Sequence, residues 1–114
     1  MTADVTKPNE LKFMGRTYKI IFPDKIEDDN LGLTSHSKFL VKVKSKQIPL
    51  EEADTLIHEV LHVIWYHMGL CADNSDDVEE RFVRTLATGL VCTFLENEKL
   101  LTYLKETLHA DRSN

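Results

Sequence analysis

The chain is poor in what would place it in a special structural class. Cys71 and Cys92 are its two cysteines, too few for a disulfide scaffold, and both are expected to be reduced thiols. Apolar runs reach only a few residues, well short of the about 20 needed to cross a bilayer. A basic segment leading into an apolar stretch is missing from the start, so no secretory signal is expected and the expected location is the cytoplasm. Excess basic charge is also missing. The net charge of -5 argues against electrostatically driven binding of nucleic acid. It is unevenly spread, because residues 1–48 carry +3 and residues 49–114 carry -8. What remains is 114 residues, 42% hydrophobic and 29% charged, which suits one compact globule. No repeat, low-complexity tract or linker divides it. Residues 1–10 (MTADVTKPNE), aperiodic and containing Pro8, are expected to be a flexible leader, and residues 11–114 a single domain.

The first half reads as strands. Tyr18, Ile20 and Phe22 recur at period two after a break at Met14-Gly15, which predicts a hairpin. Leu31–Thr34 and Lys38–Ser45 are the next strand candidates, separated from it by a polar turn region. In Lys38–Ser45, Phe39, Val41 and Val43 face one way and lysines punctuate the other, a pattern expected of an exposed sheet edge.

The period then changes to 3.6. Pro49 suits a first helical turn, and Glu51 and Glu52 suit the positive end of the helix dipole. Leu50, Ala53, Ile57, Val60, Leu61, Ile64 and Met68 form an apolar stripe, and Gly69 closes a helix of about 20 residues. Ser75 is a natural N-cap for a second helix over about 76–95, whose apolar face carries Val83, Leu86, Ala87, Leu90 and Phe94. A third, short amphipathic segment is built on Leu100, Leu101, Leu104 and Leu108.

Inside the first helix stands His58-Glu59-Val60-Leu61-His62, an HExxH motif. At 100° per residue, His58 and His62 lie about 40° apart on one face, one turn from each other. Two imidazoles so placed can converge on one zinc ion. Glu59 lies about 100° from His58 and 60° from His62, beside the ligands, where a general base can reach a water without binding the metal.

A catalytic zinc usually has three protein ligands and an open position. His67 lies about 180° from His58 around the helix and points away. The extended motif with Gly and His three and six residues after the second His fails, because Trp65 and Met68 stand there. The third ligand is therefore expected from the next helix, which begins with Glu79-Glu80. Periodicity puts the two glutamates on opposite borders of the apolar stripe and does not choose between them.

Residues 55–95, TLIHEVLHVIWYHMGL followed by EERFVRTLATGLVCTFL, resemble the gluzincin-type metallopeptidases of the ImmA/IrrE class, especially their minimal, phage- and prophage-associated members. In that pattern the HExxH helix is followed by a helix reading Glu-x-x-[small apolar]-x-x-[Phe/Leu]-Ala-x-x-Leu, whose Glu is the third zinc ligand. Glu80 matches, with Val83, Leu86, Ala87 and Leu90 at the right offsets, and Glu79 would shift each by one. Val83 departs from the usual Ala and Arg84 from the Asn common in longer members, and no helix-turn-helix is expected within these 114 residues. The resemblance implies an α+β, minimal zincin-like domain, with a small sheet on the HExxH helix and a glutamate helix below. It implies one zinc on His58, His62 and Glu80, and an endopeptidase using Glu59 as general base. It also implies the cytoplasm of a bacterial host if the chain is phage-encoded. A peptide substrate is expected to add as a strand to Lys38–Ser45.

Several residues remain open from the sequence. Tyr66, Tyr103, His36 and His109 are candidate second oxyanion donors. Trp65 is a candidate wall of the site, though core packing suits it better, and Cys71 is expected to be an inert loop thiol. Two other functions compete with the peptidase. One is a non-catalytic zinc-binding interaction module, for example a phage protein binding a host factor. Glu59 argues against it, since a structural zinc site has no use for a base. The other is a metal-dependent endoribonuclease, which the acidic charge disfavours, as does His67, which arrives one residue early for that pattern and faces away from the site.

Overall fold

The computed structural model describes residues 6–110. Four strands come first: β1 (Glu10–Phe13), β2 (Arg16–Ile21), β3 (Gly32–Ser35) and β4 (Leu40–Val43). Three helices follow: α1 (Pro49–His67), α2 (Asp76–Glu96) and α3 (Glu98–Leu108). The fold is α+β, a small mixed sheet packed on helices.

The β1–β2 hairpin turns through Met14 (φ 48°) and Gly15 (φ 86°). Two successive residues with positive φ make the kind of two-residue turn whose twist matches that of the strands it joins. Of the expected leader, residues 1–5 lie outside the described residues. Glu10 already belongs to β1, and the Asn9 carbonyl accepts a hydrogen bond from the Ile20 amide at 2.9 Å.

The sheet order is β1-β2-β4-β3, with β2 and β4 parallel and the other pairs antiparallel. This corrects the expectation for Lys38–Ser45. Its strand, β4, is an inner strand with both edges paired, and the free edge beside it belongs to β3. The lysine pattern misled because it marks the face of the sheet away from the helices, not an edge. Lys42 on that face is ion-paired to Glu27 at 2.8 Å. Nothing local in the sequence announces a parallel β2–β4 pairing, which depends on a crossover through β3. The strand is also shorter than expected, because residues 36–39 form a turn that ends with Phe39 at φ 51°.

Pairing of Ile20 with Val41 puts Tyr18, Ile20, Val41 and Val43 on one sheet face. Val63 of α1 closes against them, and Leu11, Phe13, Phe22 and Leu56 pack around the rim. On its other side α1 meets α2, whose Val83 and Ala87 are buried. Helix α1 starts at Pro49 and ends where Gly69 adopts φ 80°. Helix α2 is capped by Ser75, whose hydroxyl accepts from the Val78 amide at 3.3 Å. Helix α3 buries no residue, and Leu108 is 66% exposed.

Val63 is therefore the peg between helix and sheet. Val63→Ala is expected to lower the unfolding free energy by about 2 kcal/mol, read from urea midpoints. Leu108→Ala is expected to stay within about 0.5 kcal/mol of the wild type.

Candidate metal centre

Three elements meet at a cleft of about 760 Å³: the free edge strand β3, the middle of α1 and the first turns of α2. His58 and His62 face it from successive turns of α1, with ring centroids 4.9 Å apart. Glu80 enters from α2. Its carboxylate lies 3.0 Å from His58 Nε2 through one oxygen and 3.3 Å from His62 Nε2 through the other. One donor atom from each of His58, His62 and Glu80 lies within 4.8 Å of the others, a group that could hold a metal ion. The set offers two imidazole nitrogens and one carboxylate, the donor chemistry of a three-ligand site with a free position.

Glu79 takes a different part, one that spacing in the sequence did not reveal. Its carboxylate sits 2.6 Å from His62 Nδ1, the ring nitrogen on the far side from Glu80. A carboxylate on that nitrogen keeps the proton there and frees Nε2 for a metal, and it fixes the orientation of the ring. Adjacent glutamates on a helix differ by about 100°, so one reaches the near nitrogen and its neighbour the far one. Cys71 Sγ lies 3.7 Å from the other Glu79 oxygen. Burial first, and then the Glu79 charge, push the Cys71 thiol above its ordinary value. Cys71 is not among the donors that converge, which are His58, His62 and Glu80.

Glu59 is 5% exposed, the one buried charged residue among the described residues. It fits because β3 makes room for it. A Cβ on Gly32 would stand 2.6 Å from Glu59 Oε2 and 2.8 Å from Thr55 Cγ2. Two residues along the same strand face, the Thr34 hydroxyl donates to Glu59 Oε1 at 2.6 Å. Burial raises the Glu59 pKa above its ordinary value, while the Thr34 bond and the His62 and His58 rings pull the other way. A buried carboxylate held next to ligands, without being one, is placed to move a proton. Neither Gly32 nor Thr34 could be singled out from the sequence, since both depend on which strand borders α1.

The remaining candidates divide. His36 and Tyr66 line the cleft, whereas Tyr103 and His109 do not. Trp65 turns to α2, where it meets Phe82 with ring centroids 6.1 Å apart, so it packs between helices and does not wall the cleft. His67 lies on the sheet side of α1 against Tyr18. Searches against protein-family models, curated proteins and solved structures find no match to the chain.

Titration with Zn2+ is expected to reach one ion per chain in the wild type and none in Glu80→Ala. Glu79→Ala is expected to keep the stoichiometry and weaken affinity about 10–100-fold. Glu59→Gln keeps an oxygen for Thr34 and removes a buried charge, so the metal-free variant is expected to melt above the metal-free wild type at pH 7. A raised carboxyl pKa destabilises the folded state only where the unfolded chain ionises. The gap is therefore expected to close as pH falls below the ordinary value of 4.5.

Proposed function

We propose that the protein is a zinc-dependent endopeptidase, with zinc on His58, His62 and Glu80 and Glu59 as general base. The observation that carries the reading is the pairing of a three-donor cluster with a buried, non-ligating carboxylate in one cleft. A purely structural metal site gains nothing from Glu59, because burying a charge costs stability. A base for hydrolysis has to sit there. The resemblance of residues 55–95 to the ImmA/IrrE class agrees with this reading.

When bound, zinc supplies a Lewis acid that makes water acidic and polarises a carbonyl. The chain's own groups then act in sequence. Glu59 Oε2, the oxygen not taken by Thr34, accepts a proton as the water oxygen bonds to the peptide carbon and the carbonyl π pair moves onto oxygen. When that pair returns, the C–N bond breaks and its electrons stay on nitrogen. Glu59 gives the proton to the departing amine, and the products are a carboxylic acid, ionised at neutral pH, and an amine. Thr34 holds the carboxylate in line throughout, and Glu79 holds the His62 ring.

The free edge of β3 is the place for the substrate. An extended peptide can hydrogen-bond to its unpaired backbone groups and lie across the cleft. This replaces the interior strand Lys38–Ser45 in that role. The acidic helical half of the chain disfavours RNA as substrate.

The test is cleavage of a peptide library by the zinc-loaded chain, read by mass spectrometry. Glu59→Gln is expected to lose at least about 10²-fold in rate while keeping one zinc. Gly32→Ala pushes on the Glu59 carboxylate, so it is expected to keep zinc and lose about 10²-fold in kcat. One zinc per chain with no cleavage of any peptide would instead leave a zinc-binding interaction module.

A further inference from the structure

A second cluster of rings lies along α1 from the candidate metal ligands. Tyr18 is fully buried in β2, and its hydroxyl meets two imidazoles at once: His36 Nδ1 at 2.9 Å and His67 Nε2 at 2.8 Å. His36 stands in the turn that follows β3. Its ring stacks on Tyr66, with centroids 3.9 Å apart and planes 11° from parallel. Tyr18 meets the His36 ring edge-on, at 86°. An imidazole bonded at one nitrogen and stacked on one face has little freedom to turn.

This ring also faces the cleft that holds His58, Glu59 and His62. Tyr66 is four residues from His62 on the same side of α1, so the stacked pair sits roughly 6 Å along the helix from that ligand. The hydroxyl of Tyr18 sits at His36 Nδ1, and no hydrogen bond to His36 Nε2 is found among the described residues.

One hydroxyl has one proton, so Tyr18 donates to one imidazole and accepts from the other. If it donates to His36 Nδ1, the His36 proton must be on Nε2. If it donates to His67, His36 Nε2 is bare. Only the first arrangement leaves His36 Nε2 an N–H to donate, and it makes His67 the donor to the Tyr18 oxygen. Burial lowers the pKa of both rings, which keeps them neutral and makes the tautomer meaningful.

We propose that His36 is a catalytic residue of this cleft, donating a hydrogen bond from Nε2 to the oxyanion formed on the substrate carbonyl, with Tyr18 and His67 as positioning residues. The inference rests on the peptidase reading and adds to it the second donor that acyl chemistry needs. As water adds and the π pair moves onto the carbonyl oxygen, His36 strengthens its hydrogen bond without giving up its proton. The bond relaxes when the pair returns and the C–N bond breaks. Because the donor is preorganised by Tyr18 and Tyr66, no rearrangement is needed as the charge develops. Its place at the end of β3 also suits a peptide laid along that strand.

Two measurements test this. The first is a 15N NMR spectrum of the histidine rings in the full-length, zinc-loaded chain, with His36 assigned by its loss in His36→Gln. The Nε2–H tautomer is expected, turning to a mixture in Tyr18→Phe. A bare Nε2 would overturn the proposal whether or not any peptide is cut. The second is steady-state hydrolysis of a peptide found in the library screen. His36→Ala is expected to lose about 10²-fold in kcat with little change in KM and one zinc retained. Tyr18→Phe is expected to lose about tenfold. Wild-type kcat in His36→Ala would overturn the role of His36 and leave the peptidase standing. A zinc-loaded wild type that cuts nothing would overturn both. If His36→Ala fails to fold, the tautomer in the wild type still decides.

Discussion

Helix α1 has to satisfy two neighbours with one cylinder. Its sheet-facing side carries Val63 into the layer of Tyr18, Ile20, Val41 and Val43, and its α2-facing side meets Val83 and Ala87. The cleft lies where these two contacts diverge, and His58, Glu59 and His62 occupy that border. Moving α1 by a fraction of a turn would open the core and turn the imidazoles away from Glu80. The core and the candidate metal centre are thus held by one constraint, the rotation of α1 about its axis.

That arrangement concentrates electrostatic cost. Glu59, Glu79 and Glu80 crowd two histidines in a space that is partly closed to water, with side-chain exposures of 14% for Glu79 and 47% for Glu80. Each carboxylate is answered differently. Glu59 has the Thr34 hydroxyl, Glu79 has His62 Nδ1, and Glu80 faces both Nε2 atoms. A divalent cation between His58, His62 and Glu80 would offset the remaining negative charge. The effect of burial on Glu59 is opposed by the Thr34 hydroxyl and the two imidazoles.

Beyond the cleft, the same economy holds. A domain this small has few fully buried side chains, and Tyr18 combines two uses in one of them. Its ring fills the core between sheet and helix, and its hydroxyl, which would be costly to bury alone, is satisfied by His36 and His67. Helix α3, with no buried residue, adds little to this core.

The sequence by itself determined the local features. Period-two and period-3.6 patterns, Pro49, Gly69 and Ser75 located the elements, because each acts within a few residues of itself. The same holds for His58 and His62, whose common face follows from helix geometry alone. Tertiary structure decided what depends on distant pairing. Parallel pairing of β2 with β4 buried the strand whose lysines suggested an edge and brought β3 to the cleft. That placement supplied Thr34 and Gly32 to Glu59. Packing of α2 on α1 separated Glu80, at both Nε2 atoms, from Glu79, at His62 Nδ1. Periodicity could not make that separation, because it fixes an angle about one helix and not the distance to another.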